Sequence, residues 1–432
     1  MAQRLNARDP SFAEAYARLL ADRTVAVDGA EEAAGRILRD VRARGLDAVL
    51  DWTARLDGLT LAPDSLRASA EEIAAARAAC DPAVVRALEM AAERILDFHQ
   101  RQKPQDARFT DAAGASLGWR WTPVDAAGLY APGGKAAYPS SVLMNALPAR
   151  AAGVERLVMV TPPGRVRDNP AILAAASVAG VTEIWKIGGA QAIGALAYGA
   201  GPIARVDVIV GPGNAYVAAA KKLVFGDVGI DSIAGPSEVF IIADGRNDPD
   251  WIAIDLLAQA EHDEDAQSIL FTDDAVFADA VAAALDRMIA QGRAGAPARA
   301  SWAAHGAIVV VERLEDALAL SDAGAPEHLQ IAAEEAETLA ARVRHAGAIF
   351  IGRHTPEALG DYVAGPNHVL PTGQRARFSS GLGTLHFMKR TTLLGVGPEA
   401  LARIGPAAAA LAHAEGLPAH AGSVELRLKG SP

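Results

Sequence analysis

A chain of 432 residues, 51% hydrophobic and 22% charged, is long enough for two or more domains and has the balance of a soluble globular enzyme. Its net charge of −11, with no basic block, argues against a nucleic-acid partner. Cys80 is the single cysteine, which excludes an intramolecular disulfide and a thiolate zinc cluster; beside Ala78 and Ala79 it reads as a small buried hydrophobe.

Taken in chain order, MAQRLNARDPSFAEAYARLLADR carries charges throughout and lacks a signal peptide's apolar core. No apolar run is long and uncharged enough to span a bilayer, so a cytoplasmic protein with no membrane partner is expected. The first hundred residues read as helices. Ala33–Trp52 and Ala83–Gln102 space their apolar residues helically, and Pro82 suits a first helical turn. From about Gly118 the texture changes to strand–helix alternation, with LVMVT, EIWKIGG and VDVIVGPGN each preceding an alanine-rich helix. A second alternating block has strands EVFIIAD, SILFTD, AIVVVE and AIFIG, with helices around Trp251–Ala260, Val276–Ile289, Glu315–Leu320 and Glu335–Val343. This is the pattern of an α/β protein with two parallel-sheet domains. After about Ser379 a short, mostly helical tail runs to Pro432.

Several segments could carry chemistry. In LLAQAEHD, Gln259 and His262 lie three positions apart and share a helix face, which fits a hydrogen-bonded helix end as well as a metal site. In APEHLQIA, Pro326 places Glu327 and His328 on or beside a turn, either as a solvated pair or as a carboxylate and an imidazole for acid–base work. GDYVAGPNHVLPTG supplies Asp361 as a further ligand and His368 as a site histidine, and EGLPAHAG supplies Glu415 and His420. His305, His345 and His413 read as ordinary surface residues. Together the four segments put a histidine near Glu, Asp or Gln at turns and helix ends, as a metal site built from distant loops would, with nitrogen and oxygen ligands.

No GxGxxG follows a strand, so the usual dinucleotide fingerprint is absent. GLYAPGGKAAYPSSVLMNA, KIGGAQAIGALAYG and IVGPGNAYV each run from a strand end through glycines into a helix. Such junctions offer backbone N–H groups to a phosphate, or serve simply as turns.

The order of AGPSEVF, AQAEHD, APEHLQ, GPNHVLPT and EGLPAHAGSVELRL resembles that of the histidinol dehydrogenases, from about residue 30 onward. The resemblance implies two incomplete Rossmann-like domains: residues 31–128 with 236–378 holding the metal and catalytic residues, and an inserted 129–235 lining the NAD site. An N-terminal helical arm (1–30) and a small helical C-terminal tail (379–432) complete it. It implies one Zn2+ per subunit on Gln259, His262, Asp361 and His420, and Glu327 and His328 as the acid–base pair. It further implies Ser237, Gln259, His262, His328, Asp361, Glu415 and His420 as substrate contacts, and Tyr130, Gln191 and Asn214 as NAD contacts. The implied reaction oxidises L-histidinol through the aldehyde to L-histidine, with NAD as co-substrate. The implied assembly is a homodimer in which the tail completes the partner's site, although a tail folded back on its own chain would satisfy the same residue types. An alternative on this scaffold is an NAD- and zinc-dependent dehydrogenase of another polar alcohol, such as a hydroxyalkyl sulfonate. His386 is given no role.

Overall fold

The computed structural model describes residues 2–21, 29–132, 138–164, 169–233 and 235–430. The glycine segment after Tyr130 falls partly outside them, at residues 133–137.

Two parallel sheets organise the chain. The first contains β9 (Glu238–Ala243), β10 (Gln267–Thr272), β11 (Ala307–Val310), β12 (His328–Ala332) and β13 (Ala348–Ile351), joined at one edge by β1 (Gln3–Asn6). Its order is β1-β11-β10-β9-β12-β13, so the five strands of the second block stand 3-2-1-4-5. The second sheet has the same order, β6-β5-β4-β7-β8, built from β4 (Ala126–Tyr130), β5 (Arg156–Val160), β6 (Glu183–Trp185), β7 (Val208–Val210) and β8 (Gly229–Ile230). Each is thus a doubly wound Rossmann sheet without its sixth strand. The central strands are buried on both faces and correspondingly apolar, VFIIA in β9 and LVMV in β5. A third, antiparallel sheet, β14-β3-β2, pairs β14 (Met388–Gly395) with β3 (Ser116–Pro123) and β3 with β2 (Ala107–Thr110).

The expected strands and helices of both blocks are present, and three features differ from the sequence reading. Residues 3–6, taken as part of a helical arm, form β1; a short, exposed edge strand with polar side chains carries little apolar alternation. The tail contains β14, whose KRTTLL gives no strand signal because most of it is exposed. HLQIA, where the sequence reading has no strand, is the inner strand β12, with His328 at its start beside the bend at Glu327 and Gln330 as its other polar residue.

Helices α2 (Ala30–Arg44), α3 (Leu46–Asp57), α4 (Ala70–Ala79) and α5 (Pro82–Gln100) precede the second sheet. They pack beside it, one core joining Ile37, Leu38 and Val41 to Ile193, and another joining Leu88 and Ile95 to Leu147. An amphipathic stripe says that a helix is covered, not by what. The contact depends on Gly194 in α8 (Gly189–Tyr198), since a Cβ there would lie 3.1 Å from Val41 Cγ1.

Helix α6 (Pro139–Ala152) joins the two halves of the site. Nearly all its residues are buried, so it has no polar face. Pro148 lacks an N–H and leaves the Met144 carbonyl without its helical donor. Asn367 supplies the replacement, donating from Nδ2 to that oxygen at 2.7 Å and tying the helix to the loop that carries His368.

Candidate active site

The residues that could do chemistry converge at the amino ends of β9 and β12. The carboxyl end of the first sheet, where doubly wound folds usually bind ligands, is closed by its own polar network. There Asp244 accepts from Arg353 at 2.6 Å and from the Glu334 amide at 2.8 Å, while Asn247 donates to the Ala332 carbonyl at 2.6 Å. A cavity of about 730 Å3 beside that network, lined by Glu334, Thr338, Arg353 and His354, lies at the carboxyl ends of β12 and β13, the opposite end of the strands from the cluster.

His328 opens β12 and is 2% exposed. Its Nδ1 lies 3.0 Å from the backbone carbonyl of Glu238, which can only accept, so Nδ1 carries the proton and Nε2 presents a bare lone pair. That Nε2 is buried with no hydrogen-bond partner. Burial first, and then the neighbouring imidazoles of His262 and His368, keep the ring neutral, with its pKa down at about 3; the bond to Glu238 opposes this. Glu327 is held reciprocally with Glu238: each backbone N–H donates to the other's carboxylate, at 3.0 and 3.3 Å. The second oxygen of Glu238 accepts from Gly373 N at 2.6 Å. The EVF segment therefore fixes both members of the expected acid–base pair.

Helix α10 (Pro249–Ala260) returns along the first sheet and ends at the cluster, capped at its start by Asp248 and Pro249. Gln259 closes it, with Nε2 at 3.2 Å from His262 Nδ1 and Oε1 buried without a partner. Asp361 comes from α15 (Glu357–Tyr362) and lies 3.8 Å from His262 Nε2 and 3.9 Å from His328 Nε2. Burial raises its carboxyl to about 7. The backbone of Asp361 accepts from His368 at 2.9 Å, and the other nitrogen of His368 meets Ser141 Oγ of α6 at 3.1 Å. Burial pushes His368 down to about 4.

Three of the four expected metal ligands, Gln259, His262 and Asp361, thus stand together beside Glu327 and His328. A zinc-like ion bound at about 2.0–2.2 Å to each ligand can span the 3.8 Å between His262 and Asp361. A second set shares Asp361: His328, Glu357 and Asp361 offer ligand atoms within 4.8 Å of one another. Glu357 was missed by the sequence reading. It is buried, with Oε1 at 3.5 Å from His328 Nδ1 and Oε2 unpartnered; burial first, then Asp361, Glu327 and Asp255, raise its carboxyl well above the usual range. Its place one helical turn before Asp361 was the available signal. Unpaired Gln259 Oε1, His328 Nε2 and Glu357 Oε2 make this a donor set suited to a cation.

Two expected site residues are elsewhere. Glu415 and His420 are exposed, on and beside α17 (Pro418–Leu428), and make no hydrogen bond or ion pair with the cluster among the described residues. Helix α17 packs on α16 (Pro398–Ala414). Ser237 is partly buried just ahead of β9. The three expected NAD residues gather on the second sheet. Tyr130 ends β4, and its hydroxyl accepts from Gly189 N at 3.0 Å; burial raises its pKa to about 12. Gln191 is fully buried with both amide atoms unpartnered. Asn214 caps α9 (Ala215–Val224), accepting from Val217 N at 3.1 Å.

Two Rossmann-ordered sheets, with a buried imidazole–carboxylate cluster at the amino ends of one of them, define an α/β protein equipped for acid–base chemistry. The histidinol dehydrogenase family model matches residues 21–428. The chain is 60% identical over 430 residues to histidinol dehydrogenase of Rhodospirillum rubrum and 56% identical over 428 residues to that of Ruegeria pomeroyi, covering 99% of each chain in both cases. The crystal structure of histidinol dehydrogenase from Elizabethkingia anophelis superposes with a TM-score of 0.92 at 35% identity, over 99% of this chain and 98% of that one. The chain belongs to the histidinol dehydrogenase family, the oxidoreductases of histidine biosynthesis.

Proposed function

We propose that the cluster oxidises L-histidinol to L-histidine in two successive steps with NAD as acceptor, in an NAD-dependent alcohol and aldehyde dehydrogenase. The observation that carries this reading is the bare, buried Nε2 of His328 beside Asp361, with Glu327 held next to it.

Gln259, His262 and Asp361 would hold a zinc ion, and His420 would complete the set. When bound, zinc would orient the substrate nitrogens and assist as a Lewis acid. NAD, when bound, supplies the hydride acceptor. The neutral His328 takes the hydroxyl proton on Nε2, and the Glu238 carbonyl stabilises the resulting imidazolium through Nδ1–H. Glu327 activates a water against the aldehyde, and His328 takes the proton of the hydrate in the second oxidation. Enclosure of the cluster keeps bulk water from the aldehyde. Ser237, Glu415 and His420 would contact the substrate, and Tyr130, Gln191 and Asn214 the nucleotide.

The exposure of Glu415 and His420 supports a homodimer in which each tail completes its partner's site. Leu411, Leu417 and Leu426 of the same helices are exposed at 66%, 41% and 69%, apolar area that a second chain would cover. The residue types of the cluster do not separate histidinol from other polar alcohols; family membership does. The domains proposed are the two sheet units, with α2 to α5 on the nucleotide side. The composition suits a cytoplasmic enzyme.

The test separates the two oxidations. Glu327→Gln should impair oxidation of the aldehyde far more than that of the alcohol. His328→Asn should impair both, by on the order of 10²–10⁴-fold. Equal and mild effects would remove these residues from the acid–base role.

A further inference from the structure

Asn145 is 1% exposed, yet neither its Oδ1 nor its Nδ2 has a hydrogen-bond partner. Its neighbours in α6, Met144, Ala146 and Leu147, are fully buried and apolar, so packing alone would be served by another apolar side chain. Asn145 stands one helical turn after Ser141, and the two share a face. Ser141 fixes the direction of that face, since its Oγ lies 3.1 Å from His368 Nε2. On the other side, a Cβ added to Gly211 would meet Asn145 Nδ2 at 3.0 Å and the Tyr130 carbonyl oxygen at 2.4 Å. The amide therefore sits where β4 and β7 end. Those adjacent strands are where the order 3-2-1-4-5 reverses, the point at which doubly wound sheets take their ligands. Asn145 thus stands between the nucleotide end of the second sheet and the His328–Asp361 cluster.

A buried primary amide with both ends free is matched by a ligand that offers one acceptor and one donor in a single plane. The carboxamide of nicotinamide does so: its oxygen for Nδ2 and its NH2 for Oδ1. We propose that Asn145 is a cofactor-binding residue that grips the nicotinamide carboxamide and so turns the adjacent ring carbon toward the substrate. This rests on the NAD reading above.

The test compares equilibrium affinities of NAD and of its 3-acetylpyridine analogue, which lacks the amide NH2, by titration calorimetry on the intact enzyme. The wild type should prefer NAD by about ten-fold, the value of one well-placed hydrogen bond. Asn145→Leu should lower NAD affinity by about ten-fold or more and abolish the preference, while L-histidinol affinity holds. Its thermal midpoint should not fall, because an unpaired buried amide is replaced by an apolar group of similar size. Unchanged NAD affinity, a retained preference, or weakened L-histidinol binding alone would overturn the proposal. A lowered midpoint with equal losses toward both nucleotides would show a structural role and overturn it too. If the wild type binds neither nucleotide, the NAD reading itself fails. Asn145→Ser, smaller and still polar, gives the same comparison should the leucine variant fail to fold.

Discussion

Replacing Asn367 by alanine should reveal how α6 and the histidine loop are coupled. In an unbroken helix the Met144 carbonyl would accept from residue 148, but that residue is Pro148. Asn367 Nδ2 takes over at 2.7 Å, in surroundings where the carbonyl has no access to water. Its Oδ1 also accepts from Val369 N at 2.8 Å. Asn367→Ala therefore strands a buried acceptor, which costs about 1–3 kcal/mol, and loses a second bond worth about 1 kcal/mol. Pro148→Ala returns an N–H to the helix and with it a donor for Met144. In that background Asn367→Ala should cost about 1–3 kcal/mol less. The four proteins are compared by urea denaturation, and kcat/KM should fall with Asn367→Ala because His368 is the next residue. An equal cost of Asn367→Ala in both backgrounds would refute the argument.

Two further predictions follow from the site. His262→Ala and His420→Ala proteins, each inactive, should regain activity when mixed under subunit exchange, because one site of each mixed dimer recovers all its ligands; verified exchange without activity would place the tail on its own chain. Burial raises the Asp255 carboxyl from 3.8 to about 6 against the opposing bond from Gln330, a penalty of about 3 kcal/mol on the ionised folded protein. The folded state holds the extra proton, so this penalty is absent below pH 3.8 and complete above about 6. Asp255→Asn should therefore stabilise the metal-free protein above pH 6 and not near pH 4, measured as the difference in urea midpoints; a pH-independent difference would contradict the assignment.

What the sequence made legible was set by burial. Strands such as EVFIIA and SILFT are covered on both faces, so their apolar runs are continuous and mark them. HLQIA is just as buried, but His328 and Gln330 put functional polarity on the same strand and disguised it. At β1 and β14 the side chains are largely solvated, and no alternation remains to be read. The cluster residues Gln259, His262, Glu327, His328 and Asp361 lie in motifs that fit structural roles equally well one by one, and it was the resemblance of the motifs in their order that singled them out. Asn145 was not singled out, since its burial and unpaired amide are encoded by no spacing, and for Glu357 the one signal was its place a helical turn before Asp361.

The most direct measurement counts NADH formed per L-histidinol consumed, with and without a metal chelator. Two NADH per substrate, lost on chelation and restored by Zn2+, is the outcome that the two-step, metal-dependent site predicts. One NADH per substrate, or full turnover by protein shown by elemental analysis to be free of metal, would contradict it.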